Sequence, residues 1–251
     1  MKPSHFFAFL GAAAALSACN SKQENAASNE PVNLTPIAPP AGSDWTQTVA
    51  ASPEGGFVMG NPNAKVKLVE YGSLTCPHCR EFDETGVEPL VNTYVKSGQV
   101  SWEFRNYVRD PFDLAATLIA RCNGPAGFFP LSRAMYKDQA NWVAKVQAVP
   151  QAQLEGLQNM PSAQVPAAAA GFAGLPQWAA ARGVPEAKSA QCLNNTAEVN
   201  KLVEMNANAT QQYPDFPGTP TFIINGKMFT PANAGSPLWD QLKAALNAGI
   251  K

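Results

Sequence analysis

The chain has 251 residues, 45% of them apolar, and a formal net charge of −1 at neutral pH. That apolar share is ample for a buried core in one or two domains. Its 18 basic and 19 acidic residues are nearly balanced and form no basic run, which argues against nucleic acid or an acidic lipid surface as a partner.

Residues 1–18 read as an export signal, with Lys2 as the charged start, an apolar stretch from Phe6 to Leu16, and Leu16-Ser17-Ala18-Cys19 at its end. The stretch is too short to cross a bilayer as a mature helix. Its last four residues resemble the bacterial lipobox, which predicts cleavage before Cys19 and lipidation of that cysteine; the alternative is an ordinary signal cut elsewhere. Residues 19–55 are rich in Asn, Ala, Ser and Pro and predict a flexible tether with no dimerisation segment, hence a monomer. The folded body is expected to begin at residue 56.

Residues 65–71 read as a strand entering the core, and Gly72-Ser73-Leu74-Thr75 turns the chain into Cys76-Pro77-His78-Cys79. Beyond it Phe82, Leu90, Val91 and Tyr94 recur at roughly helical spacing, and Pro77 suits the first helical position. Cys76 then sits at a helix mouth, where the amide dipoles favour its thiolate, and Cys79 lies one turn in. Two thiols so placed make a redox switch for thiol-disulfide exchange. A zinc site needs about four ligands, and beyond the motif there remain only the unclustered Cys122 and Cys192, so no metal is expected. Covalent haem needs histidine where Arg80 stands. A soft Cu(I) site on Cys76 and Cys79 is a further alternative, without the methionine or histidine cluster that would support it.

Residues 100–107 alternate large apolar with polar side chains and predict a second strand. Residues 110–215 are alanine-rich, punctuated by Pro and Gly and poor in strand signals, which predicts an inserted bundle of short helices. Leu114, Leu118 and Cys122 share one helical face, with Gly124 as the expected stop. With Cys19 acylated, four cysteines remain. An even set in an oxidising compartment predicts a structural disulfide between Cys122 and Cys192, with free buried thiols as the alternative. Such a bond would contribute about 4 kcal/mol. Asn225-Gly226 between two apolar runs is a strong hairpin signal, and Ser236-Pro237 opens a last helix carrying Leu238, Leu242 and Leu246 on one face.

Cys-Pro-His-Cys after a core strand, together with Gly218-Thr219-Pro220-Thr221-Phe222 opening the hairpin, resembles the thioredoxin superfamily. The Pro-His dipeptide and the helical insert resemble its DsbA-type disulfide oxidoreductases of the bacterial envelope. The resemblance implies an α/β, thioredoxin-like fold interrupted by a helical domain, with residues 56–109 and 216–251 forming its two parts. It implies that Pro220 is cis and that the backbone at Thr219 pairs with an extended substrate chain. Glu70, six residues before Cys76, would be the one buried acid below the active site; strand alternation independently puts it on the inward face with Val66 and Leu68. There it would exchange a proton with Cys79, while His78 would help stabilise the Cys76 thiolate or, alternatively, stand as a solvent-facing spacer at an exposed loop-to-helix position. The implied activity is oxidation of cysteine pairs in exported proteins, with recharging by a quinone-linked membrane protein and no bound cofactor. An isomerase or reductase on the same fold is the rival reading, kept open by Thr219.

Overall fold

The computed structural model describes residues 34–251. Six strands form one sheet: β1 (Val49–Ala51), β2 (Phe57–Gly60), β3 (Val66–Gly72), β4 (Val100–Asn106), β5 (Thr221–Ile224) and β6 (Lys227–Phe229), in the order β1-β2-β4-β3-β5-β6. Only β3 and β4 run parallel; Val66 pairs with Val100 and Gly72 with Asn106. Their crossover carries α1 (Pro77–Phe82) and two wider π-helical stretches, Asp83–Val87 and Leu90–Val95. The single helix predicted from Phe82, Leu90, Val91 and Tyr94 is therefore three segments. The wider turns shift the buried set, so that Val87, Leu90 and Val95 are enclosed and Val91 is half-buried.

Between β4 and β5 lie eight helices: α2 (Pro111–Ala120), α3 (Gly124–Lys137), α4 (Gln139–Gln147), α5 (Gln151–Gln158), α6 (Val165–Ala173), α7 (Leu175–Ala180), α8 (Glu186–Leu193) and α9 (Thr196–Gln212). The Asp110 side chain caps α2 by accepting from the N–H groups of Phe112 and Asp113, with Pro111 at the first helical position. This helix ends at Ala120, so Cys122 lies in the turn that follows. Gly124, expected as the stop of α2, opens α3 instead with φ +64°. A disulfide joins Cys122 to Cys192 on α8, with their Cα atoms 5.7 Å apart and a sequence separation of 70.

Asn225 (φ 49°) and Gly226 (φ 81°) both turn left-handed in the β5–β6 hairpin, the geometry that a two-residue loop between twisted strands requires. The final helix α10 (Leu238–Ile250) buries Trp239, Leu242 and Leu246, whereas Leu238 is only half-buried. One sheet face holds Leu68, Glu70, Trp102, Phe104 and Phe222 against α1, α3 and α10. On the other face a cavity of about 520 Å³ is lined by Val58, Lys67, Val69, Glu103 and Arg105, away from both motif cysteines.

The tether expected over residues 19–55 ends earlier than its composition suggests. Trp45 is buried and donates to Ile37 O at 2.8 Å, Asp44 caps the short turn Trp45–Gln47, and β1 adds an edge strand to β2. One aromatic anchor and a strand of three residues suffice, because the sheet edge supplies the missing hydrogen-bond partners. The folded body therefore includes residues before 56. Cys19, the signal of residues 1–18 and the first part of the tether lie outside the described residues. Among the described residues, no helix is long and apolar enough to cross a membrane.

Candidate active site

Gly72 ends β3, and the loop Ser73-Leu74-Thr75 delivers Cys76 to the N-terminus of α1, where it is the extended N-cap residue (φ −79°, ψ 122°). Pro77 follows at a position whose N–H would have no helical partner. Both cysteines are free thiols and buried: Cys76 is 3% exposed and Cys79 is fully enclosed. Their surroundings drive them apart. The Cys79 thiol, chiefly, lowers the Cys76 pKa to about 5; burial opposes this, and the Thr219 side chain and the N–H groups of Cys79 and His78 add to the lowering. Burial pushes Cys79 well above the usual thiol range, reinforced by its donating to Cys76 and by the charges of Cys76 and Glu70.

The Thr219-Pro220 peptide is cis, and the Cys76 thiol donates to Thr219 O at 3.2 Å. The strand β5 begins two residues later, so this carbonyl faces the active sulfur from the sheet side. Thr219 Oγ1 is buried with no hydrogen-bond partner in the thiol form, which leaves it free to donate to a thiolate.

Glu70 lies on β3 with 1% exposure and accepts from Trp102 Nε1 at 3.1 Å. Burial, and next the charge of Asp83, raises its carboxyl well above the ordinary range, which favours the protonated form. The His78 ring stands at the surface, 75% exposed, with Nδ1 3.4 Å from Glu81 Oε2; the backbone N–H of His78 is the group directed at Cys76.

The structure therefore brings Cys76, Cys79, Glu70, Thr219 and Pro220 together and leaves the His78 side chain on the rim. Cys122 and Cys192 lie together on the insert. Sequence reading missed a second buried acid, Asp83, raised to about 6 by burial, which Arg133 at 3.5 Å opposes. It stands four residues after Cys79, and this helical spacing was the available signal. It also missed Asp113, fully buried, raised to about 7 by burial, and accepting from Ser73 Oγ (2.7 Å), Leu74 N (2.9 Å) and Arg109 N (3.0 Å).

A family model described as Thioredoxin matches residues 52–248. Among curated proteins, the "Putative protein-disulfide oxidoreductase RP025" of Rickettsia prowazekii is 29% identical over 171 residues, covering 68% of this chain and 54% of the relative. The chain thus spans about half the length of the curated relatives it matches. Among solved structures, a protein described as a protein-disulfide isomerase from Novosphingobium aromaticivorans is 34% identical with a TM-score of 0.71, covering 77% of this chain and 96% of the other. The α-DsbA1 of Wolbachia pipientis shares the fold at 20% identity and a TM-score of 0.55, covering 80% of this chain and 93% of the other. By the family match, which takes in both the cysteine pair and the cis-proline hairpin, the chain belongs to the thioredoxin family.

Proposed function

We propose that this protein is a thiol-disulfide oxidoreductase that oxidises cysteine pairs of exported proteins. The observation that carries the reading is the asymmetry of the pair: Cys76 held near a pKa of 5 at the helix mouth, above a Cys79 pushed well above the thiol range. In the oxidised enzyme a client thiolate attacks Cys76 Sγ. The Cys76–Cys79 bond breaks, a client–Cys76 disulfide forms, and Cys79 leaves as a thiolate that takes the proton of Glu70. A second client thiolate then attacks the client sulfur of that mixed disulfide and expels Cys76, whose low pKa makes it a good leaving group. Two electrons pass from the client to the enzyme pair. The client segment lies as an added strand along the Thr219 backbone.

The names of the Rickettsia relatives support disulfide oxidoreduction, and the export signal with Cys19 supports a lipid-anchored monomer on the periplasmic side of the envelope. A quinone-linked membrane protein is the partner that would reoxidise the pair. Isomerisation is the second reading, favoured by the description of the Novosphingobium structure and by Thr219 before the proline. Equilibration of the full chain with glutathione buffers, following the Cys76–Cys79 pair separately from Cys122 and Cys192, tests the proposal. A potential near or above about −150 mV is expected; one near about −270 mV would identify a reductase and overturn it.

A further inference from the structure

We infer that Gln139, the first residue of α4, is a positioning residue for Cys76. Its carboxamide is buried, and Nε2 donates to two carbonyls of the active-site loop, Leu74 O at 2.8 Å and Cys76 O at 3.0 Å. One amide nitrogen meets both oxygens only while the backbone of residues 74–76 keeps the turn that aims them at it.

The consequence falls on the sulfur. Cys76 O also accepts the first bond of α1, from Arg80 N at 3.2 Å, so the carbonyl of the N-cap residue is held from two sides. Fixing that peptide fixes ψ at Cys76 and therefore the direction of its side chain. The thiol is thereby kept opposite the His78 and Cys79 N–H groups and Thr219. Other groups of the insert hold the same loop without touching the Cys76 peptide. Tyr136 Oη donates to Ser73 O at 3.1 Å, Asp113 accepts from Ser73 and Leu74, and Asp110 accepts from Thr75 Oγ1 at 3.0 Å. The helical insert thus does more than cover the core, because through Gln139 it sets the alignment that lowers the Cys76 pKa.

The inference rests on Cys76 being the exchanging thiol, and the test reads that thiol directly. In the reduced full chain, the thiolate absorbance of Cys76 is titrated in wild type, Gln139→Leu, Gln139→Glu and Tyr136→Phe. Gln139→Leu removes both donors and is expected to raise the Cys76 midpoint by about one pH unit, with a matching tenfold fall in oxidising strength against glutathione. Gln139→Glu keeps the shape, offers at most one donor, and is expected to shift the midpoint in the same direction; it decides the matter if the Leu variant does not fold. Tyr136→Phe should lower the melting temperature and leave the midpoint in place. Wild-type midpoints in the folded Gln139 variants, or an equal shift in Tyr136→Phe, would overturn the assignment. Loss of the exchange reading would show separately, as a Cys76→Ser chain that still exchanges disulfides.

Discussion

The protein carries two cysteine pairs whose surroundings are opposite. Cys76 and Cys79 are neighbours in sequence, sit at a helix mouth and are free thiols of very different acidity. Cys122 and Cys192 are 70 residues apart, are joined, and link the turn after α2 to α8 beside the part-buried ion pair of Arg121 with Glu198 (2.6 Å). Helix-mouth N–H groups and an adjacent thiol stabilise one thiolate in the first pair. The second pair closes a long loop of the insert and so constrains the unfolded chain. On the proposed reading, the same element serves exchange in one place and stability in the other, and the neighbouring donors and the enclosed loop decide which.

The sharpest way to break this comparison is Cys76→Ser, which should reduce disulfide exchange to the uncatalysed level while the chain still folds with its Cys122–Cys192 bond intact. A variant that keeps its activity would move the chemistry to the other pair. A second effect is linked to pH. The folded pKa of Cys76, about 5, lies below the free-thiol value of 9.0. Its stabilisation of the reduced protein is therefore complete above about 9 and lost as pH falls through about 5. Asp83 and Asp113, raised to about 6 and about 7 by burial, favour the fold at low pH instead, but they do so in both redox forms and cancel in the difference. Denaturant unfolding of the reduced and oxidised protein should show a gap in favour of the reduced form that is wide at pH 8 and narrow at pH 4. A gap independent of pH would mean that Cys76 is not the acidic thiol.

For the other pair, replacing Cys122 and Cys192 together by alanine should cost about 4 kcal/mol of stability, with exchange rates unchanged. Unaltered unfolding would remove its structural role. The smallest of these effects is expected from Glu70→Gln, which removes the proton of Glu70 without emptying its site. Exchange near neutral pH should slow by about 10- to 100-fold and its pH profile should change shape. Identical profiles across pH would sink the proton relay.

Both pairs were found in the sequence, for different reasons. The Cys76–Cys79 site was legible because its parts are local: an apolar strand-like run, a turn, a proline at the first helical position and a cysteine on either side of the Pro-His pair. Glu70 was legible from alternation, since a strand residue in register with Val66 and Leu68 points the same way. Cys122 and Cys192 were matched by parity alone. The parts that were missed depend on distant partners. Nothing in Val49-Ala50-Ala51 announces a strand until β2 offers its edge, and Trp45 in a polar, proline-rich stretch reads as a tether until Ile37 meets it. His78 shows the converse: the motif predicted a role for its ring, and the fold turned the ring outward while using its backbone N–H.

By itself the sequence determined the order of elements from β3 onward, the hairpin and the cysteine motif at the helix mouth, while the cis proline was implied only by the family resemblance. These are short-range patterns, in which each residue's preference is decided by neighbours within a turn or a strand. Only the tertiary structure decided which groups surround the sulfurs. Thr219 reaches Cys76 from 143 residues away, and Asp113, Tyr136 and Gln139 converge on the loop from three helices of the insert. Burial and convergent hydrogen bonds set acidity, and both arise only when segments far apart in the chain exclude water from the same place.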